Sequence, residues 1–411
     1  MPDDTDFSLH NIPFGVGQIA HSNEFFVCTR LGDSIIRIDL LFAAGYLPTI
    51  PGLQVDVFKQ ASLNQFLAKG LDVVRTVRKV LYELFESGNE SFASQHVLHG
   101  QVIYPYQKVQ MMLPVKVGDY TDFYSSQEHA YNVGVMFRGP ENALMPNWKY
   151  LPVGYHGRAS SIVVSGVDVH RPHGQFKPQD VEEPVFGPTR QMDFELEMAF
   201  VVGKENDLGL SVALEDAESH IAGLCLFNDW SARDIQAWEY QPLGPFLGKN
   251  FASSMSPWLV TLDALEPFRV ASPKQDPKPL PYLLSQKGHN FDIQLELWLQ
   301  PEGEEATCIS TTNHKYLYWT MAQQLAHHTV NGCNLQIGDV CASGTISGPT
   351  EDSYGSMLEL AWRGTKPLTL KDGSKRSFLE DGDTVIIKGF AKNKNIRVGL
   401  GEVRAKILPT V

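Results

Sequence analysis

Apolar and polar residues alternate most cleanly along Met192-Asp193-Phe194-Glu195-Leu196-Glu197-Met198-Ala199-Phe200-Val201. A period of two places alternate side chains on one face, so the pattern predicts a strand from Phe194 to Val202. With a rise of about 3.3 Å per residue, Glu195 and Glu197 stand side by side roughly 6 to 7 Å apart. That spacing suits a shared cation; the plainer reading is a half-buried strand with an acidic face in solvent.

Asp292 to Leu299 and Thr384 to Phe390 read as further strands, and Phe25 to Arg30 with Ser34 to Asp39 as a hairpin around Leu31-Gly32-Asp33. Val74, Val77, Leu81, Leu84 and Phe85 recur at helical spacing, and Gly88 stops that helix. Glu215 to Ala222 and Tyr316 to His328 are the other helix candidates. From about Pro114 to Pro188 the chain is rich in Gly, Pro, Tyr and His, the texture of short strands joined by shaped loops. Pro267 to Pro281 carries five prolines and reads as a surface loop. The expected architecture is mostly β with some α: a small N-terminal domain, then a larger one of many short strands.

Composition narrows the function. The 411 residues, 43% hydrophobic, can bury a core large enough for two or three domains. Against 34 Lys and Arg stand 47 Asp and Glu, a net charge of -13, which argues against nucleic acid or an anionic membrane as the main partner. No apolar run approaches the ~18 residues of a membrane span. Met1-Pro2-Asp3-Asp4 lacks a basic, apolar leader, and an intracellular protein is expected. The five cysteines, odd in number and never in a Cys-x-x-Cys pair, argue against a disulfide framework or zinc ribbon. Asn89-Glu90-Ser91 matches a glycosylation acceptor, but so short a pattern recurs by chance and needs a secretory context.

Other acidic segments add to the glutamate pair. An apolar strand runs through Leu224 to Phe227 into Asn228-Asp229, and Ser231-x-x-Asp234 then has the form of a helix-opening cap. On that helix Arg233, Gln236 and Tyr240 share a face, setting hydrogen-bond donors beside Asp229. Lys249 lies in an apolar loop flanked by Gly248, where desolvation disfavours its charge; it either serves a site or snorkels to water. Asp122, Tyr124 and His129 fall within eight residues. Asp122, Glu195, Glu197 and Asp229 would give one site four carboxylates, the hard-oxygen set of Mg²⁺ or Ca²⁺. The excess negative charge makes Arg233 and Lys249 sensible neighbours. A zinc His-Glu-x-x-His, a Gly-x-Ser-x-Gly elbow, a phosphate-binding Gly-rich loop and a calcium loop are all missing from the sequence, which leaves metal-assisted attack by water as the simplest mechanism.

Asp122-Phe123-Tyr124-Ser125-Ser126, Leu151-Pro152-Val153-Gly154-Tyr155-His156-Gly157-Arg158, Phe194-Glu195-Leu196-Glu197, Asn228-Asp229-Trp230-Ser231-Ala232-Arg233-Asp234 and Ser343-Gly344-Thr345-Ile346-Ser347-Gly348, in this order, resemble the fumarylacetoacetate hydrolase family over nearly the whole chain. The resemblance implies a small SH3-like barrel, residues 1–118, and a mixed β-roll catalytic domain, residues 119–411. It implies a cytoplasmic homodimer that cleaves a carbon-carbon bond of 4-fumarylacetoacetate, a diketo-diacid, giving fumarate and acetoacetate in the last step of tyrosine breakdown. Carried over, Asp122, Glu195, Glu197 and Asp229 are metal ligands, and His129 is the general base, oriented by Glu359. Arg233, Gln236 and Lys249 serve the oxyanion and leaving group; Tyr124, Arg138, Tyr155, Tyr240 and Thr345 contact substrate. The chain departs from the family at Ala252-Ser253, where Gly-Thr is expected. Ser253 keeps the hydroxyl that would help hold a second cation near Asp229 and Lys249.

Acylpyruvate hydrolases, decarboxylases and isomerases of the same superfamily share the carboxylate site but act on smaller oxo-acids; the long N-terminal domain and the tyrosine and arginine set favour the larger substrate. A glycosidase would place its carboxylates on both sides of the bond, unlike Glu195 and Glu197. A non-catalytic cation-binding protein would need no general base.

Overall fold

The computed structural model describes residues 5–19, 22–86, 96–285 and 287–411. Gly88 and the Asn89-Glu90-Ser91 triplet lie outside them. The N-terminal unit is a five-stranded antiparallel sheet of β1 (Gly15–Ile19), β2 (Phe25–Leu31), β3 (Ser34–Arg37), β4 (Ile103–Pro105) and β5 (Val109–Met111), in the order β4-β3-β2-β1-β5. Leu31 pairs with Ser34, so the β2–β3 turn is only Gly32-Asp33, and Gly32 takes the positive φ of 56° that such a turn requires. The second strand of the hairpin is shorter than expected, because Ile38–Ala43 coils into a helix. The predicted helix is α1 (Leu71–Phe85), with Val74, Val77, Leu81 and Leu84 buried.

The larger unit is built on a seven-stranded sheet of β6 (Tyr120–Phe123), β7 (Gly154–Gly157), β8 (Ile162–Val164), β9 (Leu196–Val202), β10 (Ile221–Asp229), β11 (Ser253–Met255) and β12 (Val340–Ala342). Their order is β7-β6-β12-β9-β10-β11-β8, with β12 parallel to β6 and antiparallel to β9. A five-stranded sheet containing Ile293–Gln300, Thr384–Lys392 and Arg397–Leu408 packs against it.

Strand parity explains the layering. Leu196, Met198, Phe200, Leu224 and Leu226 join one core with Leu295 and Ile387 of the second sheet. Ala199, Val201, Cys225 and Phe227 point the other way, into a core shared with Phe14, Phe66 and Leu81 of the N-terminal unit. Each such buried Leu, Ile, Val, Met or Phe side chain contributes about 1.5–3 kcal/mol. Covering both faces buries β9 throughout, so the plainer reading of an acidic face in solvent does not hold and Glu197 lies inside the protein.

Several local expectations yield to this packing. Glu215 to Ala222 forms only a short 3-10 turn, Ala217–His220, because Ile221 opens the buried strand β10. Of Tyr316 to His328 only Met321–Thr329 is α-helical, opened by a capping box between Thr320 and Gln323. Ser231 does not cap its helix, Arg233–Glu239: it pairs with Asp193 in a short bridge, and the cap position falls to Ala232 without a side-chain bond. The proline-rich segment is pinned rather than free, with Arg269–Val270 paired to Asn290–Phe291 and Gln275 exchanging side-chain hydrogen bonds with Gln323.

Helix α2 (Gln127–Arg138) begins at Ser126, whose hydroxyl accepts from the His129 amide at 3.3 Å. Gly134, one turn beyond His129, lets the loop after the helix approach: a Cβ there would lie 1.8 Å from the Ala143 carbonyl oxygen. Gly134→Ala should therefore destabilise the protein by about 1–3 kcal/mol from overpacking, more than the ~0.5–1 kcal/mol that alanine returns in helix propensity. Urea unfolding of the two proteins measures the difference.

Candidate active site

Glu195 and Glu197 share the strand parity that faces the N-terminal unit, and so do Asp122 on β6 and Asp229 on β10. Strand directions then bring all four to one end of the sheet. Asp122 sits near the C-terminus of β6, Glu195 immediately before β9 and Glu197 at its start, and Asp229 at the end of antiparallel β10. One carboxylate oxygen from each lies within 4.8 Å of the others, and all four residues are buried. Two ligands facing each other across a bound ion lie at about twice the metal-oxygen distance, roughly 4.2 Å for Mg²⁺ and 4.8 Å for Ca²⁺. The cage therefore has the size and oxygen chemistry of a divalent-cation site.

Its unsatisfied atoms agree. Asp122 Oδ1 and Glu197 Oε1 are buried without a hydrogen-bond partner, while Glu197 Oε2 accepts from the Gly344 amide at 3.1 Å. Burial, reinforced by Asp229, pushes the Asp122 carboxyl well above the carboxylate range; burial, then Asp122 and Glu195, does the same to Glu197. Burial also raises Glu195, but Lys249 and Arg233 outweigh it and hold that carboxyl well below. Lys249 does not snorkel: it is buried, donating to Glu195 and, at 2.8 Å, to Asp229. Burial lowers its affinity for a proton, and Asp229 and Glu195 more than restore it.

A carboxyl whose folded pKa exceeds its unfolded value stabilises the fold below the unfolded pKa and loses that contribution as pH rises through the folded one. Asp122 and Glu197 are of this kind. Glu195 has the opposite sign, its contribution being lost only as pH falls below the ordinary carboxylate range. Metal-free protein should therefore show a higher guanidinium midpoint at about pH 5.5 than at about pH 8, with the gap closing when Mg²⁺ or Ca²⁺ is added. A midpoint that climbs with pH in the metal-free protein would contradict this.

The rim carries the other groups. Tyr155 donates to Asp229 Oδ2 at 3.0 Å, and Ser253 to Asp229 Oδ1 at 2.7 Å. Arg233 pairs with Glu195 at 2.7 Å and donates to Gln236 at 3.3 Å; its Nη2 is buried and unpartnered. His129 Nδ1 lies 2.7 Å from Glu359 Oε2, and the Tyr124 ring meets the imidazole edge-on at 5.3 Å. Thr345 is buried with its hydroxyl free. Two expected residues stand apart from the carboxylates. Arg138 donates to the Asn142 and Ala143 carbonyls, and Tyr240, 44% exposed at the end of its helix, accepts from Gln241.

Asp193 was not anticipated. Fully buried, it accepts from Arg233 Nε at 2.8 Å and from the Met357 and Leu358 amides at 2.8 and 3.0 Å, joining Arg233 to the short helix Met357–Leu360 that carries Glu359. Its signal was in the sequence, since Asp193, Glu195 and Glu197 follow one another at every second position. The partners of Glu359 were missed as well: Asn132 and Ser347 donate to it at 2.9 Å and Ser356 at 2.8 Å. Burial raises Glu359, but His129 and these bonds hold it below the usual range.

Comparison with known proteins gives a consistent result. Residues 10–114 match the family described as Fumarylacetoacetase N-terminal, and residues 120–408 the one described as Fumarylacetoacetate (FAA) hydrolase C-terminal. Fumarylacetoacetase of Arabidopsis thaliana is 50% identical over 408 residues, covering 99% of this chain and 97% of the relative. That of Homo sapiens is 49% identical over 412 residues, covering 100% and 98%. Among solved structures, fumarylacetoacetate hydrolase from psychrophilic Exiguobacterium antarcticum aligns with a TM-score of 0.53 at 17% identity, covering 97% of this chain and 99% of that one, a likeness of fold. With both family regions matched and half the residues identical end to end, the chain belongs to the fumarylacetoacetate hydrolase family.

Proposed function

We infer that this chain hydrolyses 4-fumarylacetoacetate to fumarate and acetoacetate, the closing step of tyrosine breakdown, as a cytoplasmic homodimer. Residues 119–411 would form the catalytic domain and residues 1–118 its support. The observation that carries the reading is the His129–Glu359 pair standing with a four-carboxylate cage in one buried site. Two full-length relatives named fumarylacetoacetase support the substrate. No described helix is long and apolar enough to cross a membrane.

Asp122, Glu195, Glu197 and Asp229 would hold Mg²⁺ or Ca²⁺, and a second cation would lie near Asp229, Lys249 and Ser253. When bound, the divalent cation supplies Lewis-acid polarisation of the diketone oxygens. Glu359, acting as acceptor, fixes the proton of His129 on Nδ1, which leaves Nε2 to take a proton from water. The hydroxide adds to the fumaroyl carbonyl, and the free Nη2 of Arg233, with Gln236 beside it, would meet the oxygen that gains charge. Collapse breaks the carbon-carbon bond, and the acetoacetate carbanion leaves towards the positive charge of Lys249 and takes up the proton that His129 drew from water. Tyr124, Tyr155 and Thr345 would line the substrate near the cage, with Arg138 and Tyr240 reaching its carboxylate ends.

The test is to mix purified protein with fumarylacetoacetate and follow loss of the diketone absorbance. Turnover should stop on chelation and return with Mg²⁺ or Ca²⁺. Failure with either cation present, together with cleavage of an acylpyruvate, would reassign the substrate within the superfamily.

A further inference from the structure

Away from the cage, three side chains form a second line of hydrogen bonds. Ser285 Oγ lies 2.7 Å from His289 Nε2, and His289 Nδ1 lies 2.7 Å from Glu218 Oε1. Glu218 comes from one segment, and Ser285 and His289 from another, four residues apart in one loop. Glu218 sits in the turn Ala217–His220, and His289 directly precedes the strand Asn290–Phe291. Ser285 follows the turn Pro281–Leu283. Arg269, on the strand paired with Asn290–Phe291, grips Glu218 through two nitrogens at 2.8 and 3.2 Å.

Protonation follows from these contacts. Burial raises the Glu218 carboxyl, and the bonds from His289 and Arg269 overcome it and hold it below the usual range. An ionised carboxylate only accepts, so it takes the Nδ1 proton of His289, and the neutral tautomer would turn its Nε2 lone pair to the Ser285 hydroxyl, which also accepts from the Lys287 amide at 3.1 Å and lies 3.3 Å from the Lys287 carbonyl oxygen. His289 is buried, whereas Ser285 is half-buried. Both line a cavity of about 310 Å³ that Lys278 and Lys287 also line. That volume is at the lower end of small-ligand pockets, which run from about 300 to 1,000 Å³.

We propose that Ser285, His289 and Glu218 are the nucleophile, general base and orienting carboxylate of a second hydrolytic site, acting on small carboxylic esters. Ser285 Oγ adds to the ester carbonyl as its proton passes to His289 Nε2. The carbon-oxygen bond of the ester breaks, and the leaving alkoxide takes that proton as an alcohol. Water then adds to the acyl-serine, again giving a proton to His289, and the carboxylic acid departs as Ser285 recovers its own. The negative charge passing through the carbonyl oxygen develops in a cavity lined by two lysines. The step needs neither metal nor redox partner.

Full-length protein treated with a fluorophosphonate should carry the label on Ser285, located by peptide mass spectrometry, whether or not a chelator is present. Hydrolysis of p-nitrophenyl acetate above the uncatalysed rate should fall by at least about 100-fold in Ser285→Ala and in His289→Gln. Cooperative unfolding like that of the parent would show that both variants are folded. A serine that merely ties its loop would take no label. Unlabelled Ser285 in the parent protein, or undiminished ester turnover in folded Ser285→Ala, overturns the proposal.

Discussion

Replacing His129 with alanine should lower kcat for fumarylacetoacetate by about 10²–10⁴-fold, the range that a positioned general base supplies, while divalent-cation binding persists. The separation follows from the geometry. His129 contributes no atom to the carboxylate cage, whereas Glu359 accepts from His129, Asn132, Ser347 and Ser356 at once. A carboxylate so occupied can orient the imidazole but has little capacity left to take a proton itself. Glu359→Gln should then lose less than His129→Ala and change the pH dependence of kcat, because the amide no longer enforces one tautomer. Steady-state kinetics and calorimetric titration with Ca²⁺ measure the two effects separately. A His129→Ala enzyme with full turnover would remove the base from the mechanism.

Asp193→Ala should cost about 3–5 kcal/mol of stability, as expected when one partner of a buried ion pair is removed. The guanidinium of Arg233 would remain buried with Glu195 as its single carboxylate, and the Met357 and Leu358 amides would lose their acceptor. Asp193→Asn keeps the shape and one acceptor oxygen and should fall between the two. Because Asp193 holds both Arg233 and the helix bearing Glu359, the asparagine variant should also lose kcat although Asp193 itself has no place among the reacting groups. Urea unfolding beside steady-state kinetics checks both; a loss below about 1 kcal/mol in the alanine variant would mean that the Asp193 contacts are not what secures Arg233.

Alternation of apolar residues made the start of β9 and its glutamates legible, and the apolar run into Asp229 made β10 legible; a strand covered on both faces reads as a continuous apolar run, so the carboxylates that interrupt the start of β9 mark the site rather than solvent. Their meeting with Asp122 depends on strand order and direction, which no local period encodes. Glu359 became an expectation only through family resemblance. Yet Ser356-Met357-Leu358-Glu359 has the Ser-x-x-Glu form of a helix start, and Ser356 does accept from the Glu359 amide. Ser231-x-x-Asp234 has the corresponding form and does not cap, since backbone pairing with Asp193 holds Ser231 in a strand and its hydroxyl donates to the Asp229 carbonyl at 3.1 Å. Two like patterns thus part according to tertiary contacts. Helix propensity across Glu215 to Ala222 failed for a related reason, as Ile221 gains more from the core than from one further helical turn.

The placing of β12 between β6 and β9 bears on how the chain matures during synthesis. Asp122, Glu195, Glu197 and Asp229 have all been made once the ribosome passes residue 229, but the strand that spaces Asp122 from the glutamates begins at Val340. A nascent chain therefore holds every ligand without a finished cage for over a hundred residues. Pairing over such sequence distances is slow, and a cation caught early by loose carboxylates would oppose it. High-affinity cation capture should accordingly arise only after β12 has inserted, which makes ion retention a marker of completed folding.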